Sequence, residues 1–145
     1  MQQTLIVVQR VLATLFVAGL ACLAITGLLP PEPYSGEIHR WGAHGMIVFA
    51  WLALPLAIGL RYVCGLGSWK FIATLAFLFL VLLLSSFTGY LGPTTASEHG
   101  QQLGEETHNR FIVLHMCVLP AVLFLLGGIW FWLTWRREFS LPAQP

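Results

Sequence analysis

Charge is scarce in this chain. Only 9% of its 145 residues are Asp, Glu, Lys or Arg, against roughly a quarter in soluble domains. So few charges cannot cover a water-soluble domain. A formal net charge of +1 offers no electrostatic footprint for nucleic acid or an acidic partner. Cysteine is rarer still, with three residues. Cys22, Cys64 and Cys117 form no C-x-x-C and no C-x-x-C-H run, which excludes covalent attachment of a c-type haem. The three are expected to be buried small apolar residues. Gly19-Leu20-Ala21-Cys22 loosely resembles a lipoprotein cleavage site, but the apolar run around it is long and lacks a basic start. The first segment therefore reads as a retained helix, not a signal peptide. There is no internal repeat and no low-complexity tract.

Apolar residues fill the space that charge leaves, at 57% of the chain. Crossing a bilayer takes about 20 of them in a row, and four segments qualify, at about 4–29, 35–63, 69–91 and 108–136. Pro30, Pro31 and Pro33 end the first, because proline cannot continue a helix. Ser35 is suited to cap the second. Gly65, Gly67 and Ser68 make a tight turn, Gly92-Pro93 stops the third segment, and a polar loop runs from Thr94 to Glu106. Thr107 can cap the fourth. The expected fold is an all-α membrane protein, a single four-helix up-down bundle over residues 1–145. Arg10, Arg61, Lys70, Arg136 and Arg137 gather at one end, and Glu32, Glu37, Glu98, Glu105 and Glu106 at the other. Positive charges stay on the cytoplasmic side, so both termini are expected there.

The histidines are the second notable group. His39, His44, His99, His108 and His115 all fall on or near the outer side of that topology. An ionisable group inside a membrane is a functional hypothesis by default. Two short stretches, Ile38 to His44 and Asn109 to His115, each set a histidine near the outer start of an apolar helix. A cofactor held between helices is the expectation, and a b-type haem with two axial histidines is the simplest one. Gly27 and Gly89 would clear space for the macrocycle, and Arg40 and Arg110 stand at the level of its propionates. His115 is expected as one ligand. The other is His39 or His44, which point in different directions because five residues turn a helix by about 500°.

Four motifs in register resemble the first four helices of cytochrome b from bc-type complexes. They are Thr26-Gly27-Leu28, His39-Arg40-Trp41-Gly42-Ala43, Gly89-Tyr90-Leu91-Gly92-Pro93, and Arg110-Phe111 to His115 with Leu119-Pro120. The resemblance favours His39 over His44 as the ligand opposite His115. It also implies a second haem where the chain departs from the family. That haem would need histidines fourteen residues further along each ligand helix, about 21 Å deeper. Ala53 and Ile129 stand there, and Ala13 and Leu75 replace the corresponding glycines. The resemblance therefore implies a reduced form with one haem b per chain.

The expected function is that of a membrane b-type cytochrome subunit in electron transport. It would pass electrons between a quinone pool and an outer-side partner, a cytochrome c or similar carrier. It would be an electron-transfer subunit of an oxidoreductase complex, with no catalysis alone. Membrane lipid, other redox subunits or a second copy are the expected neighbours, and a bacterial inner membrane the expected location. Two alternatives belong to other classes. One is a haem-free structural anchor in a respiratory or photosynthetic complex. The other is a quinone-binding subunit in which Tyr90, His44 and Glu98 serve the head group.

Overall fold

The computed structural model describes residues 2–29, 35–63, 68–97 and 105–135, almost all of them helical. Helix α1 spans Gln2–Leu28, α2 Ser35–Val63 and α3 Trp69–Ser97. The last stretch is interrupted: α4 covers Glu105–Val113, a π-helical turn Leu114–Val118, and α5 Leu119–Trp135. Four apolar spans long enough to cross a membrane result, Gln3–Leu28, Gly36–Val63, Trp69–Tyr90 and Asn109–Trp135.

The helices close a ring. Helix α1 packs on α2 and α5, and α3 packs on α2, α4 and α5. Neighbours run antiparallel, as three contacts near helix ends show. Gln9 early in α1 donates its Nε2 to the Ala57 carbonyl late in α2, at 3.2 Å. Arg10 lies over the ring of Trp135 at the end of α5, 4.8 Å from its centre. Arg61 at the end of α2 lies over Phe71 near the start of α3, at 4.2 Å. These contacts gather at the end of the bundle opposite the histidines, hereafter the arginine end.

Between that end and the middle, the four helices meet in a continuous apolar core. Ala13, Phe16, Ala50, Ala57, Leu75, Leu78 and Trp130 are almost wholly buried in it. Phe16 and Trp130 meet edge to face, with ring centres 5.4 Å apart, the arrangement their quadrupoles favour. Outward positions carry large apolar side chains such as Leu52, Leu80 and Leu125. That is the surface a helix presents to lipid, where apolar exposure costs nothing.

The structure differs from the expectation in three places. Helix α3 does not stop at Gly92-Pro93 but continues to Ser97. A proline removes one backbone donor, and long membrane helices absorb that loss. The fourth helical stretch starts at Glu105, so Thr107 lies inside the first turn and does not cap it. Of the expected polar loop, residues 94–97 and 105–106 are therefore helical. Cys22 and Cys117 are exposed and do not occupy the interior as expected. A thiol is apolar enough to face lipid without cost. Cys64, Gly65 and Gly67 of the expected turn, the prolines at 30, 31 and 33, Glu98 and His99 lie outside the described residues.

Candidate functional site

The interior of the bundle opens out at the histidine end. A cavity of about 540 Å³ lies between all four spans, with Leu20 on α1, Leu82 on α3 and Leu123 on α5 as its deepest lining residues. Its walls are apolar except for His39, His115, Ser85, Ser86 and Thr88. The size falls in the range of small-molecule and cofactor sites, about 300–1,000 Å³.

His39 and His115 face each other across this space. Their ring centres are 6.2 Å apart and their planes stand at 89°. Each ring is anchored on a different helix, and the two anchors match. His39 Nδ1 donates to the Leu23 carbonyl at 3.0 Å, with the Thr26 hydroxyl 3.3 Å away. His115 Nδ1 donates to the Ser85 carbonyl at 2.8 Å, with the Thr88 hydroxyl 3.3 Å away. A carbonyl only accepts, so the proton of each neutral imidazole sits on Nδ1. Nε2 is then left without a proton, which is the state that binds a metal ion.

Glycine lets the rings come so close. A Cβ at Gly27 would stand 2.9 Å from His39 Cε1, and one at Gly89 would stand 2.5 Å from His115 Cε1. The same pattern thus occurs twice: an acceptor carbonyl, a threonine three residues later, and a glycine one residue after that. Sequence reasoning placed both glycines at the cofactor, and both do line the cavity. What it missed is that each glycine first clears an imidazole.

Pro120 accounts for the π turn that carries His115. In an α-helix the Pro120 nitrogen would bond the Met116 carbonyl, but proline has no N–H and its ring crowds that oxygen. The chain widens instead, and the Leu119 N–H reaches back to the Leu114 carbonyl. Single π turns of this kind are frequent at functional sites. Compared with an α register, the wider turn swings His115 about the axis relative to Leu119 and Leu123, by roughly 70° from the difference in residues per turn.

The remaining expected site residues stand apart from the cavity wall. His44 is exposed on α2, with Nδ1 donating to the Arg40 carbonyl of its own helix at 2.7 Å. Its ring lies 6.0 Å from that of Trp41. Arg40 is exposed and 3.8 Å from Glu37. Tyr90 is 71% exposed, and Arg110 is exposed at the start of the fourth span. Of the two candidates on α2, the cavity takes His39. Leu23, Thr26, Ser85 and Thr88, which hold the rings, were not singled out from the sequence. The repeated Thr-Gly pair, Thr26-Gly27 and Thr88-Gly89, is the signal that could have found them.

What this pair of histidines can hold follows from donor arithmetic. Among the described residues no group of three or more His, Cys, Asp or Glu side chains converges. A bare zinc ion needs three or four protein ligands, and two imidazoles in an apolar cavity do not supply them. A haem brings four ring nitrogens and asks the protein for two. With metal–nitrogen bonds of about 2.0 Å, and about 1.1 Å from nitrogen to ring centre, two imidazoles on one ion have centres about 6.2 Å apart. The observed separation of 6.2 Å fits that value, and the apolar walls fit a macrocycle. No family model matches this chain, and neither a curated protein nor a solved structure is significantly similar to it.

Proposed function

We propose that this protein is a membrane cytochrome of b type, carrying electrons through one haem held between His39 and His115. The observation behind this reading is the pair of opposed imidazoles, 6.2 Å apart, each with its Nδ1 proton engaged by a backbone carbonyl. A haem bound there would supply one-electron cycling of its iron between ferric and ferrous states. The chain's own residues do the rest. Leu23 and Ser85 hold the imidazole tautomers, so both Nε2 atoms stay available in either oxidation state. Two protein ligands leave no open position for a substrate, so the site transfers electrons and makes no bonds.

Leu20, Leu82 and Leu123 line the cavity on the side of the packed core. Electron exchange is therefore directed toward the histidine end. In the topology set by the basic residues at the arginine end, that face is the outer one, in a bacterial inner membrane. There it would meet a soluble carrier such as a cytochrome c, with a quinone pool as the other partner. Arg40 and Arg110 would serve the propionates from the rim of the same face. Ala13, Ala53 and Leu75, at the level where a second haem would lie, are buried in the packed core, so one haem per chain is expected.

Purified protein, expressed with haem supplied, provides the test. A dithionite-reduced spectrum with sharp b-type bands and a pyridine haemochrome ratio near one haem per chain are the expected results. A spectrum without haem bands would end the reading. Two haems per chain would end its one-site form.

A further inference from the structure

The threonines at the two anchors do more than accompany the carbonyls. Thr26 Oγ1 donates within α1, 3.0 Å from the Cys22 carbonyl and 3.1 Å from that of Leu23. Thr88 Oγ1 does the same in α3, 3.1 Å from the Leu84 carbonyl and 3.0 Å from that of Ser85. A hydroxyl has one proton and two lone pairs. With the proton spent on its own helix, each hydroxyl turns lone pairs toward the imidazole nitrogen 3.3 Å away. Each Nδ1–H therefore meets two acceptors from one helix. One acceptor fixes the direction of an N–H bond but leaves the ring free to swing about it. A second acceptor, set to one side, removes that freedom. The two anchors come from different helices, α1 and α3, and the two rings end up perpendicular, at 89°.

The Leu23 and Ser85 carbonyls alone suffice to hold the Nδ1–H tautomers, because a carbonyl only accepts. We infer that Thr26 and Thr88 are positioning residues: their hydroxyls, as second acceptors beside those carbonyls, fix the ring planes of His39 and His115. The ring-plane lock stands on the protein alone, while its effect on a bound haem rests on the function proposed above. Valine has the same shape as threonine but no hydroxyl, so it removes the second acceptor with little change in packing.

The experiment uses the full-length chain in detergent micelles, without haem, labelled with ¹⁵N-histidine. Wild-type His39 and His115 should each give one sharp set of ring signals, with the proton on Nδ1. Thr88→Val should keep that tautomer but broaden or split the His115 ring signals and leave His39 unchanged, and Thr26→Val should do the reverse. Thr88→Ser and Thr26→Ser should restore the sharp signals. Sharp, unsplit ring signals in both valine variants would overturn the proposal, and so would a loss that serine does not rescue.

Haem-loaded samples give a second signature. The wild type should show the strongly anisotropic low-spin EPR signal of perpendicular axial rings. Each valine variant should move toward an ordinary rhombic signal and lose haem about tenfold more readily, the low end for losing an outer-shell partner of a ligand. Wild-type protein that takes up no haem but shows the expected response of its ring signals to the threonine variants sinks the electron-transfer reading alone. Haem uptake with no response to any threonine variant sinks this proposal alone.

Discussion

At the histidine end, four helices enclose a cavity of about 540 Å³. At the arginine end, the same helices close on Phe16, Leu75, Leu78 and Trp130, each nearly or wholly buried. Part of the difference lies in a few small and polar residues. Toward the histidines, Gly27, Gly89 and the two Thr-Gly pairs let imidazole rings lie directly on neighbouring helices. Toward the arginines, Ala13 and Leu75 stand where the cytochrome b pattern has glycine, and Ala53 and Ile129 where it has histidine. Ala13, Ala53 and Leu75 are buried in packed core. Packed protein interiors have few voids larger than a water molecule. One half of the bundle is therefore built to hold something and the other to hold itself together.

The largest effects should come from removing the imidazoles. His115→Ala and His39→Ala are each expected to lose most of the bound haem and the six-coordinate spectrum of whatever remains, since only one imidazole is left to ligate the iron. His44→Ala, on the same helix as His39 but turned outward, should keep at least about nine-tenths of the haem, because removing a group outside the ligand shell leaves axial ligation intact. Haem content per chain after purification decides this. Full retention in the His39 or His115 variant would remove the distinction between the two halves, since the cavity would then not be the site.

The comparison also explains how much could be read from residues alone. Four spans, their approximate ends and the gathering of histidines at one end all follow from hydropathy and charge, which vary along the chain itself. The absence of ligands at Ala53 and Ile129 was equally visible. The anchors were not. Every residue has a carbonyl, so nothing in the sequence marks those of Leu23 and Ser85 as acceptors; only the distance between helices selects them. The choice of His39 over His44 also depends on which face of α2 meets α1, and the family resemblance pointed to it better than the periodicity did. The π turn arises from Pro120, which was quoted only as part of a motif, because the widening depends on where the chain spends the Leu119 N–H. Gly92-Pro93 misled for the opposite reason. A proline reads as a stop, yet α3 continues past it to Ser97.

Intermediate effects should follow from one methyl group. Gly89→Ala would set a Cβ 2.5 Å from His115 Cε1, and Gly27→Ala one at 2.9 Å from His39 Cε1. Both rings would have to shift, and overpacking of this kind costs about 1–3 kcal/mol. Haem retention should fall in both variants, more steeply for Gly89→Ala. Gly45 and Gly128 have open space at the same position, so Gly45→Ala and Gly128→Ala serve as controls with unchanged haem content. Equal losses across all four would mean that helix flexibility, not ring clearance, is what these glycines provide.

The smallest effect is expected at the arginine end, where Gln9 crosses from α1 to α2. Gln9 is 2% exposed, and its Nε2 donates to the Ala57 carbonyl at 3.2 Å. A hydrogen bond between membrane helices contributes about 0.6 kcal/mol on average, because the separated helices also find partners. The Ala57 carbonyl keeps access to its own helical donor from Arg61, so losing the glutamine strands no acceptor. Leucine fills a similar volume without polar atoms. Gln9→Leu should therefore change thermal stability in micelles by less than about 1 kcal/mol and leave haem content and spectrum as they are. A large loss of haem in this variant, with the fold intact by circular dichroism, would show that the packed half sets the geometry of the cavity, and the division drawn between the two ends would have to be abandoned.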